Sequence, residues 1–400
     1  MQGIELSHQL FAPAPSEGIL GVLGRNEYDH LQSSDGQTTI SEQSVSEVGV
    51  FEFSAIPPEG SYFGETVPRG VSSPAGRFIP EQFDVTAMNG ELLPPCSASQ
   101  PFGYVGEPIA FNSDEPVIFE IAAVNSKGVI TENYTHPDFI RLENDDFSLD
   151  VAAEAMVNGE RYPLSVDDLI QSFETPDRAN GVMEYVVSGD VVFNKTPDTR
   201  RNPFSPNIDI LLSSFTDSDS VSSDFENELS ALALPSPSFN IRYGRIRLNS
   251  VYGPEGMDLV MPLRAEYWSE GSYVLNEDES ASGLSEGESG CFRYNPWNQE
   301  DGGDIAITSP SVAENSRADS TSAQAYGLFA GKPEAGNEIL LRSARNPVDP
   351  DDRQSEVELL NVADWLKPFD SDGNLQSPSA TATFGVYRGH DRIIYWREVE

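Results

Sequence analysis

Four hundred residues, 38% of them apolar, are enough for two or three domains with real hydrophobic cores. Asp and Glu number 65 against 24 Lys and Arg, a formal net charge of -41. A field of that sign repels nucleic-acid phosphates and anionic lipid surfaces, so no nucleic acid is expected as a partner.

The acids are scattered through every segment, the pattern of a halophilic surface on which carboxylates hold hydration while salt screens their repulsion. The 32 Gly and 29 Pro point to many turns and few long helices. The chain starts Met1-Gln2-Gly3-Ile4, without the basic and apolar regions of a signal peptide, and no run approaches the roughly 20 apolar residues of a membrane-spanning helix. Residues 1–75 offer a small β unit shortened by the start of the chain, with strands at Ile19–Leu23 and Val45–Phe53 and a Pro-rich exit at Ile56–Gly60.

Residues 76–213 are expected to form a β-sandwich domain of immunoglobulin-like type. Val117, Phe119, Ile121 and Ala123 recur with the period of a buried strand, and Asn158-Gly159 marks a tight hairpin. A second hairpin is expected around Ser188-Gly189-Asp190, and Ile208, Ile210 and Leu212 make a last strand. Val166–Phe173 is the helix candidate. Residues 214–238, rich in Ser and Asp and holding Pro235 and Pro237, are expected to be an acidic linker.

Residues 239–400 are expected to form a C-terminal β domain. Phe239, Ile241 and Tyr243 share one phase and Ile246 and Leu248 the other, so Gly244 marks a β-bulge. Leu259, Met261, Leu263, Ala265 and Tyr267 alternate as one strand, and a low-complexity insertion follows over about 276–344. The last residues form an aromatic hairpin around Arg388–Asp391, expected to pair back onto the sheet of Tyr243–Leu248. There Arg245, Arg247, Arg388 and Arg392 would meet carboxylates such as Glu266 or Glu398. The fold class is therefore all-β: two to three immunoglobulin-like β-sandwich domains in tandem with long acidic loops.

Material for catalysis is sparse. His8, His30, His136 and His390 are the chain's histidines, each expected at a surface turn, and no Gly-x-Ser-x-Gly elbow, His-Glu-x-x-His helix or P-loop is present. No catalytic residue is assigned, because the carboxylates are too many to single out a pair. Asp217-Ser-Asp219, Asp349–Asp352 and Asp370–Asn374 place oxygen ligands in turns, with Asp370 and Asp372 the best candidates for calcium and no other cofactor expected. Trp297, in a loop, is the candidate platform for a sugar face. Cys96 and Cys291 are either a disulfide or two buried thiols.

Several blocks carry a resemblance. Gly76–Val85, Cys96, Phe102–Pro108, Phe239–Glu255, Pro262–Trp268, Tyr273–Glu279 and the ending Thr381–Glu400 resemble, in order, the C-terminal region of MshQ-like proteins, encoded with the MSHA type IV pilus. The resemblance implies export through an N-terminal region not present in this chain and a location at the cell surface or outside it. It implies a non-enzymatic structural or adhesion role in pilus assembly or pilus-mediated adhesion. Pilus or cell-envelope proteins, and surface glycans, are the partners it suggests. The rival readings are a secreted carbohydrate-active enzyme and a free-standing carbohydrate-binding lectin.

Overall fold

The computed structural model of the chain describes residues 2–30, 39–40, 42–57, 60, 64–88, 90–96, 101–176, 179–223, 229–254, 257–279, 305–308, 328–329, 332–333, 339–341, 354–360 and 362–385. Among these the regular structure is strand, joined by four short 3-10 turns and no α-helix. Among the described residues no helix is long and apolar enough to cross a membrane. The all-β, sandwich-type expectation is met.

The N-terminal sheet runs in the order Glu27–His30, Gln2–Ala12, Gly49–Ile56, Gly70–Val71, with Ala75–Phe78 also paired to Gly49–Ile56. Its central strand, Gln2–Ala12, was not among the expected strands, although Ile4, Leu6, His8 and Leu10 alternate along it. His8 lies in that strand, half-buried, its ring 5.6 Å from that of Phe51, and is not a turn residue. Ile19, Leu20 and Val22 stand exposed instead of forming a strand, and Leu23 makes a single bridge to Val45.

Two antiparallel sheets then close on one core. The first is Glu160–Leu164, Leu149–Val157, Pro206–Ser213 and Leu229–Ala233; the second is Val166–Glu174, Val182–Phe193, Val117–Val124 and Gln82–Met88, with Ile109–Ala110 on its long strand. Phe83, Phe119, Ile121, Met183, Tyr185, Ile208 and Ile210 fill the space between them, each buried. Burying one such side chain stabilises by about 1.5–3 kcal/mol. Phe147 stacks on Tyr185 at 4.6 Å and meets Phe215 at 4.7 Å, tying a loop to both layers.

Three expectations change here. Val166–Phe173 is not a helix but an edge strand paired to Val182–Phe193, with a register shift between Asp167 and Leu169. Asp168, at φ 68°, lies opposite two residues of the long strand, Asp190 and Val191, so the bulge is carried by Val182–Phe193. The left-handed backbone at Asp168 puts Val166 and Leu169 on the same, half-buried side, and that three-residue spacing imitates a helix. Ser188-Gly189-Asp190 is likewise no hairpin, because Val182–Phe193 runs through it as one strand of 12 residues. Gly189 adjoins the bulge on the same strand, and a Cβ there would lie 2.9 Å from the Asp168 carbonyl oxygen. The stretch 214–238 is not a free linker. Leu229–Ala233 adds a strand to Pro206–Ser213, and Phe215, Val221, Leu232 and Leu234 are buried in the sandwich. Its Ser and Asp content reflects turns such as that at Asp217, whose Oδ1 accepts the N–H groups of Asp219 and Val221 at 2.9 Å.

The C-terminal domain has its own core of Ile246, Leu248, Met261, Leu263, Leu341, Val357, Leu366 and Phe384. Gly244–Leu248, Leu263–Ser269 and Ser272–Leu275 form one sheet; Val251–Gly253, Ser379–Phe384, Gln354–Leu359 and Ile305–Thr308 form another. The expected strand from Leu259 to Tyr267 breaks at Pro262, since Leu259–Met261 pairs with Ile339–Leu341 and Leu263–Ser269 with Gly244–Leu248. Two short strands of the supposed insertion are therefore paired: Ile305–Thr308 joins the second of these sheets, and Ile339–Leu341 forms a two-stranded sheet with Leu259–Met261. Phe384 shares a core with Ile246 but lies in a different sheet, and the hairpin beyond it falls outside the described residues.

Gly244 is a change of sheet rather than a bulge. Asn240–Arg242 pairs with Phe102–Tyr104, and Gly244–Leu248 turns to Leu263–Ser269. Tyr243 belongs to the sandwich core and Ile246 to the next one, so the phase change read from sequence is a change of core. A Cβ at Gly244 would lie 2.2 Å from the Tyr104 ring. Only glycine lets the chain cross there.

Candidate functional site: a polar seam between two cores

Chain crossing at Gly244 gathers polar side chains from three distant segments. Phe102–Tyr104 lies parallel to Asn240–Arg242, and the turn after Ser272–Leu275 comes in over them. The Tyr104 hydroxyl donates to Glu279 Oε2 at 2.6 Å and accepts from Asn276 Nδ2 at 2.6 Å. Arg242 Nη1 donates to Asn276 Oδ1 at 2.5 Å, its Nε donates to Asn240 Oδ1 at 3.0 Å, and its Nη2 pairs with Asp278 at 2.7 Å. The guanidinium is stacked between rings, 4.3 Å from the Phe102 centroid and 4.9 Å from that of Tyr267. Glu107 closes the loop beneath by accepting the Tyr104 N–H at 2.8 Å. Tyr104, Asn276 and Glu279 are wholly buried, and Arg242, at 5% exposure, is nearly so.

Beside this cluster Glu266 receives Arg245 through Nε at 2.9 Å and Nη2 at 2.7 Å, with Arg247 at 3.9 Å. Arg245 also lies 3.4 Å over the Tyr273 ring. The pairing of these arginines with Glu266 was legible in sequence; Arg388, Arg392 and Glu398 lie outside the described residues. Glu266 is buried, so this pair is a network within the fold rather than a surface contact of about 0–1 kcal/mol.

Lys195 locks the other side of the seam. Its Nζ donates to the carbonyls of Gly244 at 2.9 Å, Trp365 at 2.6 Å and Lys367 at 2.9 Å, which uses all three N–H bonds of an ammonium group. Tyr243 and Phe369 present their rings at 5.3 and 5.9 Å. Burial pulls its pKa from 10.5 down to about 7, partly opposed by the Asp364 charge. Tyr243 donates its hydroxyl to the Thr196 carbonyl at 2.9 Å, and burial raises its pKa to about 12.

A smaller joint ties the N-terminal sheet to the sandwich. Glu47, 6% exposed, accepts the N–H groups of Val48, Glu132 and Asn133, each at 3.1 Å. Burial raises its pKa from 4.5 to about 7 against the pull of those three donors. Asn133 reaches back, its Nδ2 donating to the Ile19 and Val48 carbonyls at 2.8 Å and its Oδ1 accepting from Ile19 N at 2.7 Å.

The residues singled out from sequence lie elsewhere. Cys96 is buried beside Phe102 and disulfide-bonded; Cys291 and Trp297 fall outside the described residues, as do Asp349–Asp352 and His390. Asp370 turns its carboxylate on its own loop: Oδ1 accepts Asp372 N and Asn374 N at 2.8 Å, and Oδ2 accepts Gln376 Nε2 at 3.0 Å. Those bonds, the one from Asn374 N first, lower its pKa. Asp217 is committed similarly, to Tyr134 at 2.8 Å through Oδ2, and Asp219 pairs with Arg77. Among the described residues no three His, Cys, Asp or Glu side chains are gathered as a metal site would need. Sequence reasoning missed Lys195, Glu47 and the Tyr104–Glu279 pair. The one available signal was that Tyr104, Arg242 and Glu279 all sit in the quoted blocks.

No curated protein matches the chain. Residues 47–234 match the model of the third domain of DUF6701, and residues 242–399 match that of its fourth domain, both of unknown function. The gap between the two matches, residues 235–241, ends just before the chain passes from the sandwich core to the next at Gly244, and Phe239 and Ile241 within it still belong to the sandwich core. The chain thus carries the third and fourth domains of the DUF6701 family in that order, joined by the polar seam.

Proposed function

We propose that this chain is a non-enzymatic, rigid β-scaffold within a cell-surface or extracellular structural and adhesion protein associated with an MSHA-type IV pilus. The observation that carries the reading is the seam. Tyr104 of the sandwich domain bonds to Asn276 and Glu279 of the next domain, where Arg242 also holds Asn276, and all four residues lie in the blocks that resemble MshQ-like proteins. Such groups hold two domains at a fixed angle, which suits a load-bearing module. The disulfide at Cys96 supports an oxidising compartment outside the cytosol. The resemblance alone supplies the pilus as the partner.

The test pairs two measurements. Purified chain is incubated with sheared MSHA-type pili and with an unrelated pilus, and the pellets are compared. The same preparation is run on a glycan array and a panel of chromogenic glycosides. Selective co-sedimentation without turnover supports the proposal. Hydrolysis lost on changing one carboxylate pair would sink it in favour of an enzyme, and glycan binding without pilus binding would favour a lectin.

A further inference from the structure

A cavity of about 210 Å³ lies beside the seam, between the loop after Tyr104 and the turns flanking Lys195. Phe193, Phe204 and Val105 give it apolar walls, and Ser165, Asn194 and Arg201 are among its polar residues. Arg201 is an unusual residue for this chain. Its Nε donates to the Thr199 carbonyl at 3.2 Å and its guanidinium lies 5.4 Å over the Tyr162 ring. Its Nη1 is buried and has no hydrogen-bond partner.

Acids outnumber bases 65 to 24, so a base that buries an N–H should find a carboxylate easily. Among the described residues Arg201 forms no ion pair, and the ring beside it, Tyr162, is a neutral phenol whose pKa its hydrogen bond to Glu160 pushes up. Burial lowers its pKa, as expected for a desolvated cation with no counter-ion. Buried polar groups are nearly always satisfied, and leaving the Nη1–H of the half-buried Arg201 without a partner is costly. A planar guanidinium fork matches a carboxylate or a phosphate, and the largely apolar walls together with the net charge of -41 favour the less charged carboxylate. The space equals about seven water molecules at roughly 30 Å³ each, or the body of one amino-acid residue.

We propose that this cavity binds a carboxylate carrying a short apolar body, with the carboxylate on Arg201 and the body against Phe193, Phe204 and Val105. The ligand is either a free small carboxylic acid or the carboxylate terminus of another polypeptide. The inference does not depend on the scaffold reading.

Binding to the whole chain is followed by NMR shifts and thermal melting with four probes: butyrate, butyramide, N-acetylvaline and N-acetylvaline amide. Saturable binding of either acid in the millimolar range, with no response to its amide, supports the proposal. Butyrate alone points to a free acid, and N-acetylvaline as the tighter ligand points to a chain terminus. Arg201→Gln should abolish binding, and Arg201→Lys should weaken it by about tenfold, because the bidentate fork is lost. Should Arg201→Gln lose its melting transition, Arg201→Lys carries the comparison. Equal binding of acids and amides, equal binding by the variants, or no saturable response to either acid overturns it.

Discussion

Glu47 joins the N-terminal sheet to the sandwich, and Lys195 joins the sandwich to the C-terminal domain. Each is bonded to backbone groups rather than to a side chain of opposite charge. Glu47 accepts three N–H groups, and Lys195 donates to three carbonyls. The difference lies in where those groups come from. One of the Glu47 donors is its own neighbour and the other two belong to one 3-10 turn, 85 and 86 residues away. The Lys195 acceptors lie 49, 170 and 172 residues away, on two elements of another domain. The first joint can form once the sandwich has folded. The second needs both domains in place, so it reports on their alignment.

Breaking the second joint should therefore cost more. Lys195→Ala leaves three buried carbonyls without a donor and removes a packed stem, at about 2–4 kcal/mol. Calorimetry should then resolve the C-terminal domain as a separate, lower transition; one unchanged cooperative transition would show that Lys195 does not couple the domains. Glu47→Ala orphans three N–H groups near the surface of the sandwich and should cost about 1–3 kcal/mol. Its effect should appear as early loss of amide protection in Gln2–Ala12 and Gly49–Ile56 with the C-terminal domain unaffected.

A pH series sharpens the contrast, because the two groups titrate in opposite senses. Glu47 has a folded pKa raised from 4.5 to about 7, so its contribution is fully present below 4.5 and is lost as pH rises to about 7. Lys195 has a folded pKa lowered from 10.5 to about 7, so its contribution is present above 10.5 and is lost as pH falls to about 7. The Lys195→Ala protein should lose the rise in stability between pH 7 and 10.5 and keep the fall between 4.5 and 7; Glu47→Ala should do the reverse. Identical pH profiles for the two variants would refute the assignment. The smallest effect concerns the exposed acids common to both joints' surroundings. Raising NaCl from low to molar concentration should lift Tm by screening self-repulsion in wild type and both variants alike, and a flat response would count against a salt-adapted surface.

Local features of this chain were legible without its structure. Val117–Val124 and Pro206–Ser213 follow from strict alternation, and Asn158-Gly159 is the predicted turn, with φ of 53° and 83° joining Val157 to Glu160. Those signals need only a few consecutive residues, because backbone period and turn dihedrals are short-range properties. Even there, the left-handed backbone at Asp168 made a strand look helical, and its place opposite two residues of the partner strand, Asp190 and Val191, was required to see why.

Sequence by itself determined that the fold class is all-β, that Gly244 divides two phases and that Arg245 has Glu266 to pair with. Tertiary structure alone decided that the phase change is a passage between cores, that Tyr104 meets Glu279 from 175 residues away, and that Lys195 and Glu47 are buried. The reason is physical. Desolvation and hydrogen-bond partnership depend on every atom that surrounds a group, and here those atoms arrive from segments that only the folded chain brings together.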